Sequence, residues 1–203
     1  MKKFLKGWWE VIVFALVLIV LRIWVLAPIL VDGHSMDPTL QDGERMIMVK
    51  PLSVERFNIV VATEPGVDGE PDKNIIKRVI GLPGDKLLFD NDRLYINGEE
   101  YSEPYLAEFQ KMWHEDKLQE QYNFSSFYQD LAREASAFTI SYEGDATFTV
   151  NVPEGHYFLM GDDRLISKDS RDRAVGPIPA EDIQGTVVLS FWPFDRIRFG
   201  FQP

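Results

Sequence analysis

The stretch "IIKRVIGLPGDKLLFDNDRLYING", residues 75–98, holds three short runs rich in branched and aromatic side chains, "IIKRVIG", "DKLLFD" and "RLYING". Pro83-Gly84 separates the first two, and Asn97-Gly98 stands between "RLYI" and "EEY" as the chemistry of a tight hairpin turn. Each run has the length of a strand and falls short of an ordinary helix. Similar runs lie on both sides: "RMIMVK" (45–50) and "FNIVVA" (57–62) before it, then "AFTISY" (137–142), "TFTVNV" (147–152), "HYFLMG" (156–161), "GTVVLSFW" (185–192) and "RIRFGF" (196–201) after it. Residues 105–135 break the pattern with mixed charge and one or two helical stretches. The expected fold is mainly β, a folded-over sheet or small barrel, with a variable insertion over about 100–150.

Within the opening stretch, the two-residue strand period puts Ile75, Lys77 and Val79 on one face and Ile76, Arg78 and Ile80 on the other. An amine bedded among apolar groups loses basicity. A base working near neutrality needs a fall of about 3 units from ~10.4, or ~4 kcal/mol, which burial can supply. A neutral lysine of that kind can activate a serine. The plainer reading of Lys77 is a charge that blunts an edge strand.

The serine that stands out is Ser35, in "DGHSMDPTLQDGERMIMVK" (32–50). No S-x-x-K occurs, Ser35 lies in G-x-S-x-D rather than G-x-S-x-G, and there is no HExxH, P-loop, GxGxxG or EF-hand loop. His34, His114 and His156 are scattered. On an extended chain His34 points away from its neighbour Ser35, so a Ser-His triad and a metal site are both disfavoured. No cysteine is present, which removes disulfides and thiolate chemistry. A net charge of −11 argues against nucleic acid as a partner.

Ahead of Ser35, Lys2, Lys3 and Lys6 precede the wholly apolar "VIVFALVLIVL" (11–21), with Trp8 and Trp9 before it and Trp24 after it. The sixteen steps from Trp8 to Trp24 rise about 24 Å as a helix, close to the hydrocarbon thickness of a bilayer. This reads as a transmembrane anchor over 8–26, with residues 1–7 cytoplasmic and 27–203 an extracytoplasmic domain. A cleavable signal peptide and a buried core helix are the alternatives. Val25 and Ala27 would suit positions −3 and −1, but Pro28 would then stand at +1, a poor residue to present to a peptidase.

"GHSMDPTL", "DGERMIMVK", "FNIVVA", "IIKRVIGLPGD" and "GDDRLISKDSR" (161–171) follow an N-terminal anchor in the order and spacing of the conserved boxes of type I signal peptidases. The chain resembles that family over most of its length, 100–150 excepted, and looks most like its Gram-positive bacterial branch. The resemblance implies a membrane-anchored serine endopeptidase that removes signal peptides from exported preproteins, cutting after small residues at −1 and −3. Ser35 is then the nucleophile and Lys77 the general base, with no metal or cofactor. It implies further that Ser167 orients the lysine amine, that Asp169 and Arg171 brace the site, and that Gly161-Asp162 opens their box as a turn. Val31, Met36, Leu40, Met46, Val61, Ile75 and Ile76 match pocket-lining positions, although apolar residues on strands are more often core. The implied partners are signal peptides of secreted preproteins, membrane lipid and the neighbouring export translocon.

Three positions depart from the family. Gly33 stands where Gram-negative members have an oxyanion-hole serine, as is usual in the Gram-positive branch, leaving backbone N–H groups of Ser35 and Gly33. Asp163 replaces a common asparagine and Asn58 a common aspartate. One rival is a self-cleaving repressor-type Ser-Lys protease, whose DNA-binding domain would occupy the place of the anchor. The other is a non-catalytic anchored β-domain that binds exported peptides.

Overall fold

A computed structural model describes residues 8–17, 19, 25–50, 53–66 and 71–202. Helix α1 covers residues 8–17 and its apolar side chains are exposed, with Phe14 at 64%. Among the described residues no helix is long and apolar enough to cross a membrane. Residues 18 and 20–24 of the expected anchor lie outside the described residues.

Among the described residues the chain then forms twelve strands. They are β1 (Leu26–Leu30), β2 (Arg45–Val49), β3 (Ile59–Glu64), β4 (Lys73–Gly81), β5 (Lys86–Asp90), β6 (Arg93–Ile96), β7 (Glu99–Tyr101), β8 (Thr147–Asn151), β9 (His156–Met160), β10 (Ile178–Pro179), β11 (Ile183–Trp192) and β12 (Arg198–Phe199). One eight-stranded sheet runs β1-β2-β11-β3-β4-β9-β10, with β12 on β11, and a four-stranded sheet runs β7-β6-β5-β8. Every pairing is antiparallel. The larger sheet ends at β1 and β10, so the described strands make an open folded sheet rather than a closed barrel.

The opening stretch makes the junction between the sheets. β4 belongs to the large sheet; the Pro83-Gly84 turn then delivers the chain to β5 in the small one. Asp85 fixes that turn by accepting the Leu82 N–H at 2.7 Å, Arg56 at 2.8 Å and the Asn97 amide at 2.8 Å. Asn97 (φ +54°) and Gly98 (φ +90°) form the expected hairpin turn. Ile80, Phe158 and Met160 of the large sheet pack with Leu87, Phe89, Leu94 and Ile96 of the small one.

Three expectations need correction. Leu26, assigned to the anchor, opens β1 and pairs with Val49. This strand tolerates Pro28 because it lies at the sheet edge, where a missing N–H breaks no ladder. "AFTISY" is a loop, not a strand: the Asp92 carboxylate takes the Phe138 and Thr139 N–H groups at 3.2 and 2.6 Å, and Arg171 takes the Ile140 carbonyl at 2.8 Å. "RIRFGF" narrows to two paired residues after a 3-10 turn over Phe194–Arg196.

The insertion is helical, with α2 (Ala107–His114), α3 (Ser126–Glu134) and 3-10 turns at Pro104–Leu106 and Leu118–Tyr122. Leu106, Phe109, Leu118, Tyr122 and Phe138 form its core, together with Leu165 from the 161–171 loop. The insertion is therefore packed onto the loop that approaches Ser35.

Candidate active site

Ser35 lies in a run of turns rather than on extended chain. The Asp37 N–H reaches the His34 carbonyl at 3.1 Å and the Leu40 N–H reaches the Met36 carbonyl at 2.9 Å. Met36 (1% exposed) and Leu40 (0%) drive into the core and pin this turn to the large sheet. The extended-chain argument about His34 therefore does not apply. The His34 ring is drawn sideways, 3.0 Å from Asp37 Oδ2 and stacked on Phe124 of the insertion at 4.6 Å.

Lys77 approaches from β4, opposite Val60 of β3. Its Nζ lies 2.6 Å from Ser35 Oγ, bringing together residues 42 apart in the chain. Burial pulls the amine down to about 8, while Asp169 and Glu64 pull the other way and Arg171 assists the fall. Ile75 and Val79 flank Lys77 as the strand period requires and pack with Val60, Ala62 and Leu159.

The 161–171 loop closes the cluster. Asp169 Oδ2 accepts the Gly161 N–H at 3.0 Å and pairs with Arg171 at 2.8 Å. Burial alone would raise the Asp169 carboxyl, but Arg171, the Gly161 N–H and Lys77 together outweigh it and hold the group below its ordinary value. The Asp163 N–H donates to the Ser35 carbonyl at 3.2 Å, tying the loop to the Ser35 turn. Gly161 is required by space: a Cβ there would collide with the Ser35 carbonyl and the Ser167 side chain.

Ser167 is near the cluster but does not bond to the amine; its Oγ is buried and has no hydrogen-bond partner. Gly33 (φ +92°) spends its N–H on Asp42 Oδ1 at 2.8 Å, so it is not an available oxyanion donor here. Asn58 Oδ1 accepts the Glu55 N–H at 3.0 Å and caps a turn. Of the expected pocket set, Val31, Met36, Leu40, Met46 and Val61 are buried core with Ile76 packed against them, whereas Ile75 faces the other cluster.

Sequence reasoning missed a fully buried charge pair beside the site. Arg78 and Asp162, both fully buried, share two hydrogen bonds at 2.8 and 2.6 Å. Arg78 also donates to the Phe57 and Phe201 carbonyls at 2.9 and 2.6 Å and stacks 3.9 Å over Tyr105. The available signal was an arginine inside an apolar strand, which needs a buried counter-charge.

The chain is 46% identical to a signal peptidase I from Streptococcus pneumoniae, covering 97% of both chains. It is 36% identical to a signal peptidase IB from Staphylococcus aureus, over 100% of this chain and 97% of the relative. A crystal structure of a signal peptidase I from Enterococcus faecalis matches at 29% identity and a TM-score of 0.46, covering 66% of this chain and 97% of that one. The family model described as signal peptidase, peptidase S26, matches residues 5–192. With that match across nearly the whole sequence, the chain belongs to the type I signal peptidase family, in its Gram-positive-type branch.

Proposed function

We propose that this signal peptidase works as a serine endopeptidase with a Ser35–Lys77 dyad, cutting exported preproteins after small residues at −1 and −3. The observation that carries this reading is the 2.6 Å approach of a buried, weakened amine to a serine hydroxyl. Neutral Lys77 takes the Ser35 proton as Oγ attacks the carbonyl carbon of the −1 residue. The oxyanion then takes the Ser35 N–H. Lys77 returns its proton to the departing amine as the peptide C–N bond breaks, leaving an acyl-enzyme. Lys77 next takes a proton from a water that attacks the ester carbonyl and gives it to Ser35 Oγ as the acyl C–O bond breaks and the signal peptide leaves. These steps call for no metal or cofactor. Asp169 and Arg171 brace the loop beside the dyad, and the buried, unpartnered Ser167 hydroxyl is the group that orients the amine.

The same reading puts residues 8–25, ending before β1, across the membrane, with 1–7 inside and the catalytic domain outside, near lipid and the translocon. It is supported by the basic start, the apolar run 11–21, and an apolar strip at one end of the large sheet. There Leu30 and Trp192 stand in register on either side of the exposed Arg45, across β1, β2 and β11. Phe194 (72% exposed), Ile197 (49%) and Phe199 (77%) continue the strip.

The test is cleavage of a preprotein carrying an Ala-x-Ala site, in lipid, by wild type, Ser35→Ala and Lys77→Ala. Processing by wild type with loss in both variants is expected, together with labelling of Ser35 by a serine-directed acylating probe. Retained processing in Lys77→Ala would sink the dyad. A folded wild type that neither cleaves nor acylates would favour a peptide-binding domain.

A further inference from the structure

Asp163 is a buried carboxylic acid that the dyad chemistry leaves unused, and it lies one hydrogen bond from the nucleophile. Its backbone N–H holds the Ser35 carbonyl at 3.2 Å and its carbonyl accepts the Ser167 N–H at 3.0 Å. Its side chain is fully buried, and Oδ1 accepts the Tyr122 hydroxyl at 2.8 Å. Oδ2 is buried with no partner. Tyr122 comes from the insertion, is 1% exposed, and belongs to the core that also holds Leu165.

We propose that Asp163 is a positioning residue that works as a neutral acid, clamping the Ser35 turn to the insertion through Tyr122. The inference rests on Ser35 being the nucleophile.

The surroundings support the neutral form. Among the described residues no cation pairs with Asp163: its neighbour Asp162 is committed to Arg78, and Arg164 to Glu103 and the Gly161 carbonyl. The other charge facing it is Asp37 of the Ser35 turn, a carboxylate that repels it and is itself held by His34, with Arg196 nearby. Burial raises Asp163 to about 7, against smaller opposing pulls from the Tyr122 hydroxyl and the N–H groups of Ile166 and Leu165. Burial likewise pushes the Tyr122 phenol well above its ordinary value, so it stays a donor. An ionised Asp163 would hold a charge on an oxygen without a donor, next to a like charge. The side chain must then move or draw in water, and the same residue's N–H and C=O carry that shift to Ser35 and Ser167.

Two ionisations then shape the rate: Lys77 must lose its proton, near 8, and Asp163 must keep its own, near 7. Wild-type cleavage should pass through a maximum and fall on the alkaline side, while Asp163→Asn should keep only the rising limb of Lys77. The ratio of Asp163→Asn to wild-type rate should grow at least about tenfold between about pH 6 and about pH 9.

Stability supplies a second readout. A carboxyl raised on folding makes the native state bind more protons than the unfolded one, so wild-type stability drops between about pH 4 and about pH 7. In detergent micelles, the melting temperature of Asp163→Asn minus that of wild type should widen over that window and then level off. Tyr122→Phe, which removes an interaction that favours the ionised form, should move the alkaline limb to higher pH. This variant decides the question if Asp163→Asn fails to fold.

A rate ratio constant with pH would overturn the inference, even if the melting gap widens, because Asp163 would then titrate without positioning Ser35. A gap independent of pH would overturn it as well. Loss of cleavage in Ser35→Ala and Lys77→Ala tests the dyad separately, so the two failures are distinguishable.

Discussion

At the scale of single residues, the site depends on one contact that tolerates no added atom. Gly161 has no unusual backbone angle; what constrains it is the approach of the Ser35 carbonyl and the Ser167 side chain to its Cα. Gly161→Ala must push the Ser35 turn and the 161–171 loop apart, and displacements near 1 Å can cost about a hundredfold in rate. We expect that loss in cleavage with an unchanged circular dichroism spectrum; near-wild-type turnover would show that the loop can move without consequence. Strand alternation showed Lys77 bedded among apolar neighbours, but the same pattern suits a charge that blunts an edge strand, and only the resemblance to the family singled it out. Asp163 was legible only as a departure from a pattern. Its environment depends on Tyr122, 41 residues away in the segment least like the family.

Secondary-structure elements were legible wherever the ladder, and nothing else, satisfies the backbone. β2 to β6 fall where alternation and turn residues predict them. β1 was hidden because its apolar residues continue an apolar run. The loop 137–142 was misread because its strand-like alternation is satisfied by a side chain instead of a neighbouring strand. That side chain belongs to Asp92, which with Asn91 forms the β5–β6 turn at φ +67° and +48°. Asp92→Gly separates the two duties of the residue. Glycine accepts the left-handed backbone without strain, so any loss reports the two N–H groups of Phe138 and Thr139 left buried without an acceptor. We expect a loss of about 1–3 kcal/mol in urea unfolding, with Asp92→Asn closer to wild type. A neutral Asp92→Gly would mean that water replaces the carboxylate.

Across the whole molecule, Arg78 is where the chain's distant parts meet. It stands on β4 beside Lys77, pairs with Asp162 next to Gly161, and caps the Phe57 carbonyl before β3 and the Phe201 carbonyl near the C-terminus. Through Tyr105 it also touches the start of the insertion. The pair is fully desolvated, so its attraction is offset by the cost of stripping two ions of water. Its net worth is therefore small even though breaking it is expensive. Arg78→Met alone leaves Asp162 charged, buried and unpaired, and Asp162→Leu alone leaves Arg78 in the same position. Each single change should cost about 3–5 kcal/mol. The double variant Arg78→Met/Asp162→Leu should recover much of that loss, because no orphan charge remains. It will not recover all of it, since the Phe57 and Phe201 carbonyls still lack their donor. Denaturant unfolding of the four proteins gives the coupling energy directly. Strictly additive losses would show that Arg78 acts through its carbonyl contacts and its stack on Tyr105, with the ion pair contributing nothing to holding the catalytic loop against the sheet.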